Sequence, residues 1–473
     1  MDSTTLNFYN RLANEDIFDG ETFNLDNQTL NITTLSSIWV TFQDCTFNCK
    51  MLEFKNILDQ NLTLNFNNCN FNCGVNFSDC HLESLSFKNT RYLKSLEIKN
   101  LKLHDLVFSN DLDIEKPELI TDFTLRKNNI DFLLFEKINH IQGRLRFLGN
   151  KFGKKNGSSS FQNSTITNIL FGDNTFFNFT SFKTVTFKST TEYLKPSGSA
   201  FEFPGFYKNT FSKVSFSNSN FVCKFQFDNC DFLSTAWFEE CKNITDSELI
   251  FVACKFDKYS LFDKSKFNRI EILHSKFLEK ASFENFETNY FKIHQVTFTS
   301  AAYFDDLNKN NNLVIEKWDR KTIRAIKREL VNTHNQIDYL RFKGYELNAY
   351  KKEKGKNWKD NFILLLNEKS NYFGLDWTKG FMFTSIIGFM FYLLYLCAYA
   401  IVMKNTLYFP STIEDFFVGY LKFLNPFSLF KSPIENAETY FFPLFFFMVG
   451  KIFISYGIVQ TVQAFRKFGV NGG

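Results

Sequence analysis

An irregular all-β helix, then a basic α-helical connector, then two transmembrane α-helices is the fold this chain predicts. Three observations predict it: phenylalanine recurring in a fixed phase through the first three hundred residues, a lysine- and arginine-rich stretch with helical spacing, and two long uncharged segments near the end. The chain has 64 phenylalanines among 473 residues, against 20 glycines and 7 prolines. That composition excludes a disordered or collagen-like chain. A net charge of +4 with 22% charged residues makes it neither a polyanion mimic nor a histone-like polycation, so nucleic acid is not an expected partner.

The repeating unit is Phe, two residues, a small residue, one residue, then Phe. It occurs as Phe66–Cys69–Phe71, Phe147–Asn150–Phe152, Phe171–Asn174–Phe176, Phe216–Ser219–Phe221, Phe227–Cys230–Phe232, Phe251–Cys254–Phe256 and Phe262–Ser265–Phe267. From Phe216 to Phe304 the leading position recurs at gaps of 11, 11, 13, 11, 10, 11, 10 and 11. A phase held that long is a structural repeat, not a codon bias. Two gaps make about 21 residues, within the range of solenoid coils. On an extended strand the small residue and the Phe two positions later point to the same side. Small beside large lets successive coils stack without voids.

The triplets Cys69-Asn70-Phe71, Ser219-Asn220-Phe221 and Cys230-Asp231-Phe232 resemble the pentapeptide-repeat family. That resemblance implies a right-handed β-helix with four short faces per coil. The chain departs from the family pattern where units run one residue long and where an insert, 153–160, interrupts. The expected organisation is an N-terminal cap over 1–24, the solenoid over 25–305 and a basic connector over 306–376. A first span over 377–404, an extracytoplasmic or re-entrant loop over 405–439, and a second span with its tail over 440–473 complete it.

Ile323, Ile326, Leu330, Ile337, Leu340 and Leu347 recur at helical spacing after the Phe ladder ends. Residues 317–359 hold 13 Lys or Arg and 5 Asp or Glu, a balance of +8. The segment 317–354 is expected to cap the solenoid end, and its lysines to meet anionic lipid headgroups. Residues 380–403 carry no charge over 24 positions, enough to cross a bilayer. The surface-facing cations are Lys351, Lys352, Lys354, Lys356 and Lys379 before the first span, and Arg466 and Lys467 after the second. Their excess over the loop between the spans places both termini in the cytoplasm. The tail GIVQTVQAFRKFG and the YFGLDW lead-in resemble the ends of bacterial membrane proteins of this layout, which implies the bacterial inner membrane.

Inside the second span Lys451, Ser455, Gln460 and Gln463 are candidates to line a pore or cavity, since an ionisable group there costs a few kcal/mol unless it faces protein or water. Gly450, Gly457, Thr461 and Ala464 form a small-residue stripe for close helix packing, against the first span or another subunit. Val418, Gly419 and Tyr420, after a short helix between the spans, resemble the pore loop of potassium channels, but Phe417 and Leu421 replace the Thr and Gly of that family's filter, and a chance triplet in a Phe-rich interfacial helix is the favoured reading. No catalytic, cofactor or metal constellation is present. Cys45/Cys49 and Cys69/Cys73 lack zinc-knuckle spacing, the first twenty residues lack an apolar leader, and the ten cysteines read as free thiols packed in a reducing compartment. His274 and His294, one coil apart, are expected to face opposite sides. The chain thus reads as a non-enzymatic membrane protein whose partners are the lipid bilayer, further copies of itself and a protein bound by the solenoid. The expected function is an oligomeric pore or channel-like membrane effector gated or assembled through the solenoid, because a bare anchor needs neither Lys451 nor a structured loop between the spans; a membrane-tethered interaction scaffold is the alternative.

Overall fold

The computed structural model describes residues 3–465 except 26–28, 34, 36–37, 92–93, 111–119, 139–140, 155–156, 190–202, 244–246, 310–311, 354–356, 403–411, 428–432 and 435–436. The chain divides into two compact units, 1–315 and 316–473. The first is a parallel β-solenoid of about 11 turns. Its opening helix α1 (Ser3–Leu12) buries Phe8 against Phe23 at 4.8 Å. The first coil starts earlier than position 25, because Ile17–Asp19 already pairs in parallel with Thr41–Gln43. The last strand is Ala302–Tyr303.

The reason for the 10–11-residue gap is geometric. Each gap is half a coil, so leading positions alternate between two columns on facing sheets. In one column Phe216, Phe238, Phe262, Phe283 and Phe304 stack face to face at 4.7–4.9 Å. In the other Phe206, Phe227 and Phe251 stack at 4.9–5.1 Å. Across the core the two columns meet edge to face, as at Phe238 and Phe251 with an interplanar angle of 90°. The second Phe of the unit builds a further column, with Phe232, Phe256 and Phe277 4.5 Å apart. Stacking distance follows strand spacing, so the backbone ladder and the ring ladder reinforce each other.

The small residue does more than leave room. Cys69 Sγ donates to the Phe42 carbonyl at 3.3 Å, Cys230 Sγ to the Phe206 carbonyl at 3.3 Å and Ser265 Oγ to the Phe238 carbonyl at 2.6 Å. Each gives the carbonyl of the leading residue one coil earlier a side-chain donor, so the small position ties adjacent coils together. Where the position is Asn, the amides chain together: Asn128, Asn150 and Asn174 each donate Nδ2 to the Oδ1 of the next, Asn174 reaching Asn209, at 2.9–3.0 Å. The residue just before the small one carries the turn in the left-handed region, as at Asn68 (φ 51°), Asp79 (φ 55°), Asn218 (φ 60°) and Asn229 (φ 51°). Asn and Asp tolerate that conformation better than other side chains, which accounts for their abundance there. All ten cysteines are free thiols. Burial pushes the Cys241 thiol up to about 12, so it packs and donates rather than reacts.

His274 occupies one of these left-handed positions (φ 53°). Its backbone therefore turns where an extended strand would alternate, and the two histidines do not face opposite sides: the His274 and His294 rings meet edge to face at 5.6 Å. Among the described residues no cluster of three or more metal-ligating side chains forms.

The second unit is helical: α3 (Arg320–Asn332), α4 (Gln336–Lys352), α5 (Trp358–Asn371), α6 (Trp377–Val402), α7 (Ile413–Leu424) and α8 (Phe441–Phe465), after a short α2 (Asn312–Ile315) that closes the first unit. Asp319 caps α3, accepting from the Lys321 and Thr322 amides at 2.9 and 3.0 Å. Ile323, Ile326 and Leu330 form the buried stripe of α3, the spacing the sequence shows.

Candidate membrane site

Helices α6 and α8 have 26 and 25 residues and are long and apolar enough to cross a membrane. At about 1.5 Å per residue each exceeds the ~30 Å of a bilayer core. They lie against each other through small residues. A Cβ on Gly380 would sit 2.6 Å from Thr461 Oγ1, and one on Gly457 would sit 2.3 Å from Thr384 Oγ1. Gly450, Gly457, Thr461 and Ala464 share one helix face, and the partner of Gly457 and Thr461 is α6 of the same chain. Gly450 lies against the Phe423 ring and the Cβ of Phe391.

Helix α7 occupies the connection between the two long helices. Thr412 caps it, accepting from the Asp415 amide at 3.1 Å. Glu414 and Asp415 in its first turn and Lys422 in its last suit the helix dipole. The helix docks on α6 by two reciprocal bonds: Tyr392 Oη donates to the Phe416 carbonyl at 3.2 Å, and Tyr420 Oη to the Ser385 carbonyl at 2.7 Å. Phe423 is fully buried between Tyr392, Tyr395 and Phe447, with centroids 5.5–5.8 Å away. Helix α7 thus lies against the middle of the α6–α8 hairpin.

Val418, Gly419 and Tyr420 are in the interior of α7. Their carbonyls belong to the helical ladder, so the extended carbonyl stack of a potassium filter is not formed. Gly419 has a different duty: a Cβ there would stand 2.2 Å from Tyr392 Oη, so only glycine lets the tyrosine reach the helix backbone.

Lys451 is 1% exposed. Its Nζ donates to the Asn425 carbonyl at the C-cap of α7 and stands 5.1 Å from the Phe447 ring centre and 5.8 Å from that of Phe423. A cation against a helix C-terminus and two ring faces is doubly favoured. Gln460 is also buried, but its Oε1 accepts from Asn371 Nδ2 at 2.6 Å, where α5 ends. Ser455 is half-buried and Gln463 exposed. At about 100° per residue, Gln460 points away from Lys451, so the four polar candidates do not form one stripe.

The basic connector spends much of its charge internally. Glu346 holds Arg324 Nε at 2.8 Å and also Lys327 and Arg320. Burial raises the Glu346 carboxyl, and the hydrogen bonds from Lys327 and Arg324 outweigh that, holding it below the ordinary value. Lys351 pairs with Glu368, and Lys352 donates to the Glu316 carbonyl at 3.1 Å. Lys379 is exposed, 4.4 Å from the Tyr372 ring centre. Lys354, Lys356, Arg466 and Lys467 lie outside the described residues. No family model, curated protein or solved structure matches the chain. A β-solenoid joined to two helices of spanning length is compatible with a membrane-anchored protein.

Proposed function

We propose that this protein is a membrane-tethered scaffold, held in the bacterial inner membrane with both termini cytoplasmic, whose solenoid presents a binding surface. The observation that carries this reading is Lys451: the ionisable group of the second span is covered by protein and hydrogen-bonded to Asn425, and so is used up in fixing α7. The alternative, an oligomeric pore, is favoured by α7 itself. It is a short apolar helix between two spans, with Ile413, Phe417 and Leu421 exposed, and a bare anchor has no need of it. Two spans alone cannot enclose a pore, so that reading requires several copies.

Flux separates the two. Full-length protein in lipid vesicles is expected to release no dye or ion, and Lys451→Ala to lower folded yield, since α7 loses its lock. Wild-type leakage that Lys451→Ala alters at unchanged yield would establish the pore instead. Cysteines placed at Ser411 and Gly473 are expected to label from opposite sides of the membrane. Labelling from one side would mean that one helix does not span.

A further inference from the structure

The solenoid carries a groove of about 840 Å³ on one sheet face, within the size range of small-ligand sites. It arises where the coil is irregular: the register shifts between Phe176 and Phe179. The extra residue there turns Phe179 outward, leaving it 42% exposed. One coil further, Lys213 pairs with Phe179 in the ladder. Phe179 and Trp237 then stand edge to face, with centroids 6.3 Å apart at 83°, and make a corner of two aromatic walls. Lys213 Nζ lies over both, 5.1 Å from the Trp237 ring centre and 6.0 Å from that of Phe179.

The floor is a rail of hydroxyls. Ser160, Ser181 and Ser215 are register partners on successive coils, and Ser215 is followed by Trp237. Gln162, Lys183 and Glu239 line the same groove. Neither lysine makes an ion pair among the described residues, so the groove offers two ammonium groups against one carboxylate.

These features restrict the occupant. The floor strands are paired to coils on both sides, so no peptide can add to them as a further strand. Recognition falls to side chains alone: ring faces for flat apolar C–H surfaces, hydroxyls and a carboxamide that both donate and accept, and two cations. We propose that this groove binds an acidic sugar, a pyranose ring bearing a carboxylate or phosphate, with the ring packed on Trp237 and Phe179, its hydroxyls on the serine rail and its anionic group at Lys213 and Lys183. The site belongs to the solenoid and stands whether the helices are an anchor or a pore.

The test uses full-length protein in a detergent without a sugar headgroup, titrated calorimetrically with trigalacturonate, maltotriose and glucose 6-phosphate. At least one acidic probe is expected to bind about tenfold or more tighter than maltotriose. Preference for glucose 6-phosphate over trigalacturonate identifies a free sugar phosphate as the source, and the reverse an acidic glycan. Trp237→Ala is expected to weaken binding about tenfold or more, while Trp237→Phe keeps it within about threefold. Lys213→Gln, an exposed change that leaves the core intact, is expected to remove the acidic preference and sparing maltotriose. Absence of binding by every probe, equal affinity for neutral and acidic probes, or indifference to both Trp237→Ala and Lys213→Gln would overturn the proposal.

Discussion

The same side chain is used in opposite ways in the two units. In the solenoid Phe227 is fully buried, stacked between Phe206 and Phe251 of the coils on either side, whereas on α8 Phe441, Phe442 and Phe445 are 73%, 61% and 50% exposed. The backbone differs in the same sense. Solenoid amides are satisfied by the next coil, so each coil depends on its neighbours, while α6 and α8 satisfy theirs internally, as a span must. Phenylalanine content alone therefore says nothing of solvent. What differs is where the backbone hydrogen bonds go, and with them which faces remain for rings to cover.

The sharpest way to break this contrast is to leave a coil without its neighbour. A fragment ending at residue 305 lacks Leu307 and Ile315, both fully buried, and Asn308, whose side chain bonds both the amide and the carbonyl of Thr288 at 2.7 and 2.6 Å. It is expected to aggregate on size-exclusion chromatography, and a fragment ending at 315 to do so less. A monodisperse 1–305 fragment would show that the last coil needs no cover.

Next in size, Phe227→Ala opens a cavity between Phe206 and Phe251 and is expected to cost about 3–5 kcal/mol. Phe442→Ala, on the exposed face of α8, is expected to stay within about 0.5 kcal/mol. Hydrogen exchange of the detergent-solubilised chain reads both, and equal effects would remove the distinction between the two kinds of phenylalanine.

Lys451 sharpens the comparison from the helical side. Lys451→Ala leaves the Asn425 carbonyl without its donor at mid-span, an expected loss of about 2–3 kcal/mol, seen as protease cleavage around α7. Unchanged protection would mean that α7 is held by its aromatic contacts alone.

The connector responds to pH. Because the folded Glu346 carboxyl is more acidic than its ordinary value of 4.5, its contribution is complete above that value and is lost as pH falls through the lower folded one. Glu346→Gln is expected to cost about 1–3 kcal/mol at neutral pH and to flatten the acid limb of a thermal-unfolding series. A steeper acid limb in the variant would contradict that assignment.

The smallest effect is chemical. Cys397 on α6 is exposed, while Cys241 and Cys254 are buried, so a membrane-permeant maleimide is expected to modify Cys397 in the native protein and Cys241 and Cys254 only after unfolding, as mass spectrometry of digests would show.

The solenoid was legible in the sequence because a repeat writes one local rule many times: Phe66–Cys69–Phe71 and Phe227–Cys230–Phe232 obey the same sterics, and chance cannot hold that phase. The two long helices were legible because the length of apolar chain needed to cross a bilayer is set by its thickness. Three things were decided only in the folded chain. The duty of Cys69 or Ser265, to donate to a carbonyl one coil away, depends on a partner more than twenty residues distant. The left-handed turn at His274 overrides the strand alternation that its spacing suggests and brings it to His294. Lys451 could face water, lipid or protein by its sequence alone, and it is the docking of α7, through Gly419 beneath Tyr392 and Phe423 beside Phe447, that delivers the Asn425 carbonyl to it. Periodic contacts are encoded locally and can be read in one dimension, whereas a single contact between distant elements exists only once the chain has closed around it.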